Sequence, residues 1–285
     1  MQFHKYHALG NDYVVIDPRD HAHLFSAKEI VRICDRNFGI GSDGILWGPL
    51  ADDAASKAGI PFSVRIFNPD GSEAQKSGNG LRIFCRYLFD QGLVATDPFR
   101  VHTLGGVVLA RVRPDGKEVT VEMGEVSFWS DKIPVTGSPR EVIGETIVVG
   151  GQMFTIHCAT IGNPHCVVDF PNATEDDVRR LGPLIENHKM FPERTNVQFL
   201  TLKNRSNIAI QIWERGAGYT LASGSSASAA AAVAYRLGMV KKELLVHMPG
   251  GAISIKIDAN NVVTMAGAVT KVARGTLSEE MLEGM

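Results

Sequence analysis

Residues 76–94 read KSGNGLRIFCRYLFDQGLV, and residues 222–240 read ASGSSASAAAAVAYRLGMV. Each stretch opens on Ser-Gly and runs directly into a helical pattern. Leu81, Phe84, Cys85 and Leu88 fall at i, i+3, i+4 and i+7, the spacing of one helix face. Ile83 and Tyr87 carry apolar surface around the rest of the turn, so the pattern predicts a helix enclosed by protein. The second stretch is built of small residues, which predicts close packing on every side. Gly92 and Gly238 each stand fifteen residues after their serine, placed to stop a helix.

The likeness extends outward. Asn68 precedes Ser77 by nine residues, and Glu214 precedes Ser223 by nine. Each follows an aromatic, Phe67 or Trp213, that closes an apolar run, and each precedes a Gly-rich turn. LGNDYVVID from Leu9 matches IGNPHCVVD from Ile161, and VTVEMGEV from Val119 matches VVTMAGAV from Val262. The four pairs keep their order, at offsets of 152, 146, 146 and 143 residues. This pattern predicts two homologous halves, each built as strand, loop and helix followed by further strands. The fold class expected is therefore α/β (α+β). The halves are expected at 1–128, completed by 273–285, and at 129–272. The linker is expected near SDKIPVTGSPRE, residues 130–141. YVVID, SVRIF, RVHTL, VVLARV and VTVEM read as strands. Residues 27–36 and the EDDVRRLGPLIEN stretch read as amphipathic outer helices.

The bulk numbers fit a globular chain of 285 residues, 44% apolar and 21% charged. A net charge of −2 gives no basic footprint for nucleic acid. No apolar run reaches membrane-spanning length, and the start of the chain does not read as a signal peptide. Four cysteines, Cys34, Cys85, Cys158 and Cys166, are too few and too irregular for a disulfide framework or a zinc site. A cytoplasmic setting is the simplest expectation.

A helix start leaves backbone N–H groups unpaired and carries partial positive charge. Glycine there lets an anion approach closely. A serine at that position usually serves as an N-cap. Two such starts, related by duplication, allow more. A carboxylate held between them would be reached from opposite faces, which suits removal of a proton on one side and its return on the other.

HALGNDYVVID, FGIGSDG, FNPDGSE, SGNGLR, IGNPHCV, FPERTNVQF and ERGAGYTLASGS, in that order along nearly the whole chain, resemble the diaminopimelate epimerase family. The resemblance implies two strongly curved sheets, each around a central helix, with an active-site cleft between the halves. It implies cofactor-independent isomerisation at a carbon α to a carboxylate, as in lysine biosynthesis. It implies a small amino acid or dicarboxylate as substrate; no metal is expected, the charge and apolar pattern point to no nucleic-acid or membrane partner, and a homodimer is possible. The family works with two cysteines, and the matching positions here are Ser77 and Ser223. His165 and Glu214 match polar residues beside the thiols. Asn11, Asn68, Asn163, Asn196 and Arg215 match residues that hold the distal end of the substrate. Gly78, Asn79, Gly224 and Ser225 match backbone donors to the reacting carboxylate, and Glu214 also meets the reacting amino group. Tyr219 stands where the family has glutamate, and Ser226 where it has glycine, which places the departures on the reacting side.

A thiol is far more acidic than an alcohol, and an alcohol needs an adjacent base. Three readings follow: an isomerase working through hydroxyls, a binding protein that has lost turnover, or an epimerase inactivated by Cys→Ser replacement. Tyr219 and Ser226 count against the last, because such a replacement would not need them.

Other signals are weaker. GIGSDG, residues 39–44, fits a nucleotide-binding glycine pattern but lacks the strand before it and helix after it. It reads as a helix end and loop, with Gly44 near the substrate in the family. His21 and His23 lack companion ligands for a metal. Ser223 with His165 and an acid as a hydrolase triad, and Lys76 as a shifted base, are the remaining alternatives.

Overall fold

The computed structural model describes residues 1–20, 24–50 and 59–283. The chain divides into two compact units, residues 1–121 with 267–285, and residues 122–266.

The first unit runs β1 (Gln2–Ala8), β2 (Asn11–Ile16), α1 (Ala27–Cys34), β3 (Ile45–Leu50), β4 (Phe62–Phe67), β5 (Glu73–Ala74), α2 (Gly78–Asp90), β6 (Phe99–Thr103), β7 (Gly106–Val112) and the start of β8 (Glu118–Glu125). The second runs β9 (Ile143–Val149), β10 (Gln152–Thr160), β11 (Pro164–Asp169), α3 (Glu175–Glu186), β12 (Asn196–Asn204), β13 (Asn207–Glu214), β14 (Gly218–Thr220), α4 (Gly224–Arg236), β15 (Glu243–Met248), β16 (Gly251–Ile257) and most of β17 (Val262–Ala268). β18 (Thr270–Thr276) returns to the first unit.

The strand ladders repeat pair for pair. The first unit is ordered β18–β1–β2–β3–β4–β6–β7–β8, with β2–β3 and β4–β6 parallel. The second is ordered β9–β10–β11–β12–β13–β15–β16–β17, with β11–β12 and β13–β15 parallel. A parallel pair needs a crossover, and each crossover here carries a helix: α1 and α2 in the first unit, α3 and α4 in the second. The duplication expected from the sequence is therefore present at the level of hydrogen-bonded topology.

In each unit the sheet curls around one helix. α2 packs on β1, β2, β3 and β7, which lie toward both ends of its ladder. α4 likewise packs on β10 to β13, β15 and β16. Leu81, Ile83, Phe84, Cys85, Tyr87 and Leu88 of α2 are all buried, and each large apolar side chain contributes roughly 1.5–3 kcal/mol by leaving water. α4 buries Ala227 through Ala234 without a gap, so alanine and serine let the strands close in. Gly92 and Gly238 end these helices with φ of 69° and 71°. Leu93 N donates to Leu88 O and Met239 N to Ala234 O, the six-to-one bonds of a glycine-terminated helix.

One expectation needs correction. Residues 130–141 are not a linker: Ile133, Val135 and the neighbouring Val142 are buried in the core of the second unit. The chain passes between units inside β8 and inside β17, because continuous strands serve as the connections.

Candidate active site

Ser77 and Ser223 are the N-caps of α2 and α4, with nearly the same extended backbone: φ, ψ of −136°, 120° and −143°, 123°. Ser77 Oγ accepts from Gly80 N at 3.1 Å, and Ser223 Oγ accepts from Ser226 N at 3.4 Å. Neither helix has an acidic residue in its first turn. The outer helices differ. α1 places Glu29, and α3 places Glu175, Asp176 and Asp177, at their starts, each with a capping box. Acidic side chains thus lie against the positive ends of α1 and α3, whereas the starts of α2 and α4 carry no acidic side chain of their own. Gly78, Asn79, Gly224 and Ser225 supply the first-turn N–H groups.

Around Ser77, Tyr13 Oη lies 3.2 Å from the Oγ. Asn79 is buried; its Nδ2 donates to Asn11 Oδ1 at 2.9 Å, and its Oδ1 accepts from Arg82 Nη2 at 2.5 Å. Asn11 in turn donates to Asp43 at 2.9 Å. Arg82 is fully buried, with no carboxylate paired to it among the described residues, and burial pulls its guanidinium down to about 10, still charged at neutral pH. Among the described residues its Nε and Nη1 have no hydrogen-bond acceptor. Asn68 ties its own turn, donating to Ser72 Oγ at 3.0 Å.

Around Ser223, a hydrogen-bonded chain of side chains runs into the core. Ser223 Oγ lies 3.4 Å from Ser225 Oγ, which accepts from Asn163 Nδ2 at 3.5 Å. Asn163 Oδ1 lies 3.0 Å from His165 Nε2, and His165 Nδ1 lies 3.1 Å from Gln198 Nε2. Gln198 Nε2 also donates to Ser226 Oγ at 3.0 Å. Burial, assisted by the Arg215 charge, holds the His165 imidazole down to about 3, so the ring is neutral. Glu214 accepts from Thr220 Oγ1 at 3.1 Å. Asn196 is engaged by backbone on both arms, donating to Pro164 O at 2.8 Å and accepting from Arg215 N at 3.0 Å. The Arg215 side chain donates to Glu193 O at 3.0 Å.

The sequence-derived residues thus gather about two helix starts, Asn11, Gly78 and Asn79 with Ser77 in one unit, Asn163, His165, Gly224 and Ser225 with Ser223 in the other. Tyr219 is a correction. It pairs with Trp213, its Oη donates to Gln211, and Arg179 of α3 lies over its ring at 4.9 Å. Strand alternation points it to the outer helix, so the departure at 219 belongs to the outer layer rather than the reacting side. Ser226 stays at the start of α4, its N–H donating to Ser223 Oγ and its hydroxyl accepting from Gln198. The four cysteines are buried, and burial pushes the Cys34, Cys85 and Cys158 thiols up, so none of these three is a ready thiolate. Residues 39–44 wrap the end of α1, as expected. Among the described residues no cluster of three metal-ligating side chains occurs; His21 and His23 lie outside them. Among the described residues no helix is long and apolar enough to cross a membrane. Tyr13, Arg82 and Gln198 escaped the sequence reading. Gln198 was signalled by its place two residues from Asn196, on the same strand face.

A duplicated α/β scaffold of this kind recurs among solved structures. The structure of a hydroxyproline epimerase from Agrobacterium vitis superposes with a TM-score of 0.67 over 96% of this chain and 90% of that one, at 16% identity. The sequence profile for diaminopimelate epimerase matches residues 3–129 and 157–272. "Diaminopimelate epimerase 2" of Nostoc sp. is 56% identical over 99% of this chain and 97% of its own length. The diaminopimelate epimerase of a Cyanothece strain is 38% identical over 97% and 99%. The chain belongs to the diaminopimelate epimerase family.

Proposed function

We propose that the chain is a cofactor-independent epimerase that moves a proton at a carbon α to a carboxylate, with the hydroxyls of Ser77 and Ser223 as the two proton-carrying groups. The observation that carries this is the repeated, acid-free helix start with a hydroxyl at its tip. The reading requires both tips to meet one substrate, whose reacting carboxylate accepts from the N–H groups of Gly78, Asn79, Gly224 and Ser225. Enolate charge developing on that carboxylate is stabilised by the same donors and by the two helix dipoles. Glu214 takes the reacting amino group, and Asn11, Asn68, Asn163, Asn196 and Arg215 order the distal end. Diaminopimelate, named by the relatives, is the first substrate to try. Chiral chromatography of its isomers incubated with the protein tests the reading. Conversion that disappears in Ser77→Ala and Ser223→Ala supports it.

A second reading has its own support. Both hydroxyls already accept cap bonds, at 3.1 and 3.4 Å, which is all a structural serine needs. Saturable binding of the amino acid with no conversion would establish a binding protein on this scaffold.

A further inference from the structure

The two serine hydroxyls have unlike neighbours. Ser223 Oγ meets another serine hydroxyl, and the side chains beyond it lead through Asn163 to a neutral, fully buried imidazole and on to Gln198. Ser77 Oγ meets a phenol, Tyr13 Oη at 3.2 Å. Tyr13 is itself buried, two residues along β2 from Asn11.

The fold makes space for this phenol at Gly44. A Cβ on Gly44 would lie 2.6 Å from Tyr13 Cε1 and 2.5 Å from Phe67 O. Any side chain at 44 would therefore drive the ring out of its seat. The loop that sets Gly44 is fixed in turn: Asp43 N donates to Asp12 O at 2.8 Å, and Val14 N to Gly44 O at 3.1 Å. The glycine that the nucleotide-binding pattern left unexplained thus has a definite task, to hold the Tyr13 ring against Ser77.

We propose that Tyr13 is the proton partner of Ser77. This inference rests on the epimerase reading and names the base that an alcohol lacks. A phenol titrates near ~10, far closer to neutral pH than an aliphatic alcohol, and tyrosine is an established acid–base side chain in enzymes. In the abstraction stroke Ser77 Oγ takes the α-proton while its own proton passes to the Tyr13 phenolate oxygen. The electron pair of the broken C–H bond stays on the substrate as the enolate. In the return stroke Tyr13 Oη–H gives its proton to Ser77 Oγ as Ser77 gives its own to carbon. Solvent water completes the cycle: it takes the Tyr13 proton to form the phenolate before the abstraction stroke, accepts it again afterwards, and returns a proton to Ser223 once that hydroxyl has given its own to carbon.

The test is Tyr13→Phe, which keeps the ring and removes only the hydroxyl. Epimerisation is followed in both directions, and deuterium uptake from D2O is measured separately for the stereoisomer facing each serine. The expected result is a fall of roughly 10²-fold or more in kcat, the scale of general acid–base help, with KM changed by no more than about threefold. Deuterium uptake should fall much further for the stereoisomer facing Ser77 than for the other, because the Ser223 stroke passes its proton toward Ser225 and not through Tyr13. A purely structural effect would depress both alike. In the Ser77→Cys background the same tyrosine change should cost at least about tenfold less, because a thiol at a helix start ionises with less help. Loss of exchange from both isomers equally, or a kcat within about threefold of the unsubstituted chain, would overturn the role of Tyr13 and leave the epimerase reading standing. No conversion by the unsubstituted chain would overturn both.

Discussion

His165 Nδ1 lies 3.1 Å from Gln198 Nε2, deep in the second unit and with no carboxylate hydrogen-bonded to either ring nitrogen. The imidazole is therefore held neutral by burial, with a folded value of about 3 against about 6.5 for a free histidine. Its depressed value fixes the sign of the linkage. Between pH ~6.5 and ~3 the unfolded chain binds a proton at this residue that the folded chain does not. Stability at this site is complete above the upper limit and falls as pH drops through the window, by up to about 1.4 kcal/mol per pH unit. Denaturant titrations at pH 4–6.5 should show a shallower pH slope in His165→Gln, by about one proton. An unchanged slope would mean that His165 charges within the folded protein.

Gly44→Ala should be costly on two counts. The new Cβ meets the Phe67 carbonyl and the Tyr13 ring at 2.5 and 2.6 Å. Overpacking of this kind costs typically about 1–3 kcal/mol, read as a lower denaturation midpoint. Turnover should fall further than stability explains, because the ring moves off Ser77. Turnover in proportion to the folded fraction would contradict that.

Gly182→Ala offers a contrast. Its Cβ would lie 2.5 Å from Trp213 Cγ, on the face of α3 that packs against β13. A loss of about 1–3 kcal/mol is expected, with kcat per folded molecule little changed. A large fall in kcat would show that the outer helix reaches the chemistry.

Ser77→Gly and Ser223→Gly separate capping from catalysis. Glycine replaces a serine cap for only a few tenths of a kcal/mol. The melting temperature should scarcely move while conversion is lost. Retained conversion would reduce both hydroxyls to caps. Ser77→Cys with Ser223→Cys should instead raise turnover, because thiolates form more readily at helix starts.

Much of this was legible in the sequence, and the reasons are specific. The duplication carried the fold, because each matched pair marks the same strand or helix boundary in both ladders. Ser77 and Ser223 were legible because Ser-Gly ahead of an apolar run is a local signal. The linker was misplaced because Pro134 and Pro139 suggested exposed chain, whereas Ile133, Val135 and Val142 are core residues. Tyr13 was hidden in YVVID, where an aromatic is ordinary strand composition. Arg82 lies within a helix whose periodicity is set by its apolar neighbours, and only three dimensions show it buried against Asn79. Tyr219 misled through adjacency in sequence: strand alternation turns it away from Glu214 and toward α3.

The most direct measurement is mass spectrometry of diaminopimelate recovered from D2O after early turnover. Two proton carriers on opposite faces predict inverted product with deuterium at the reacting α-carbon and unreacted substrate still carrying protium. Deuterium in the recovered substrate without inversion, or no deuterium in either despite saturable binding, would contradict the account.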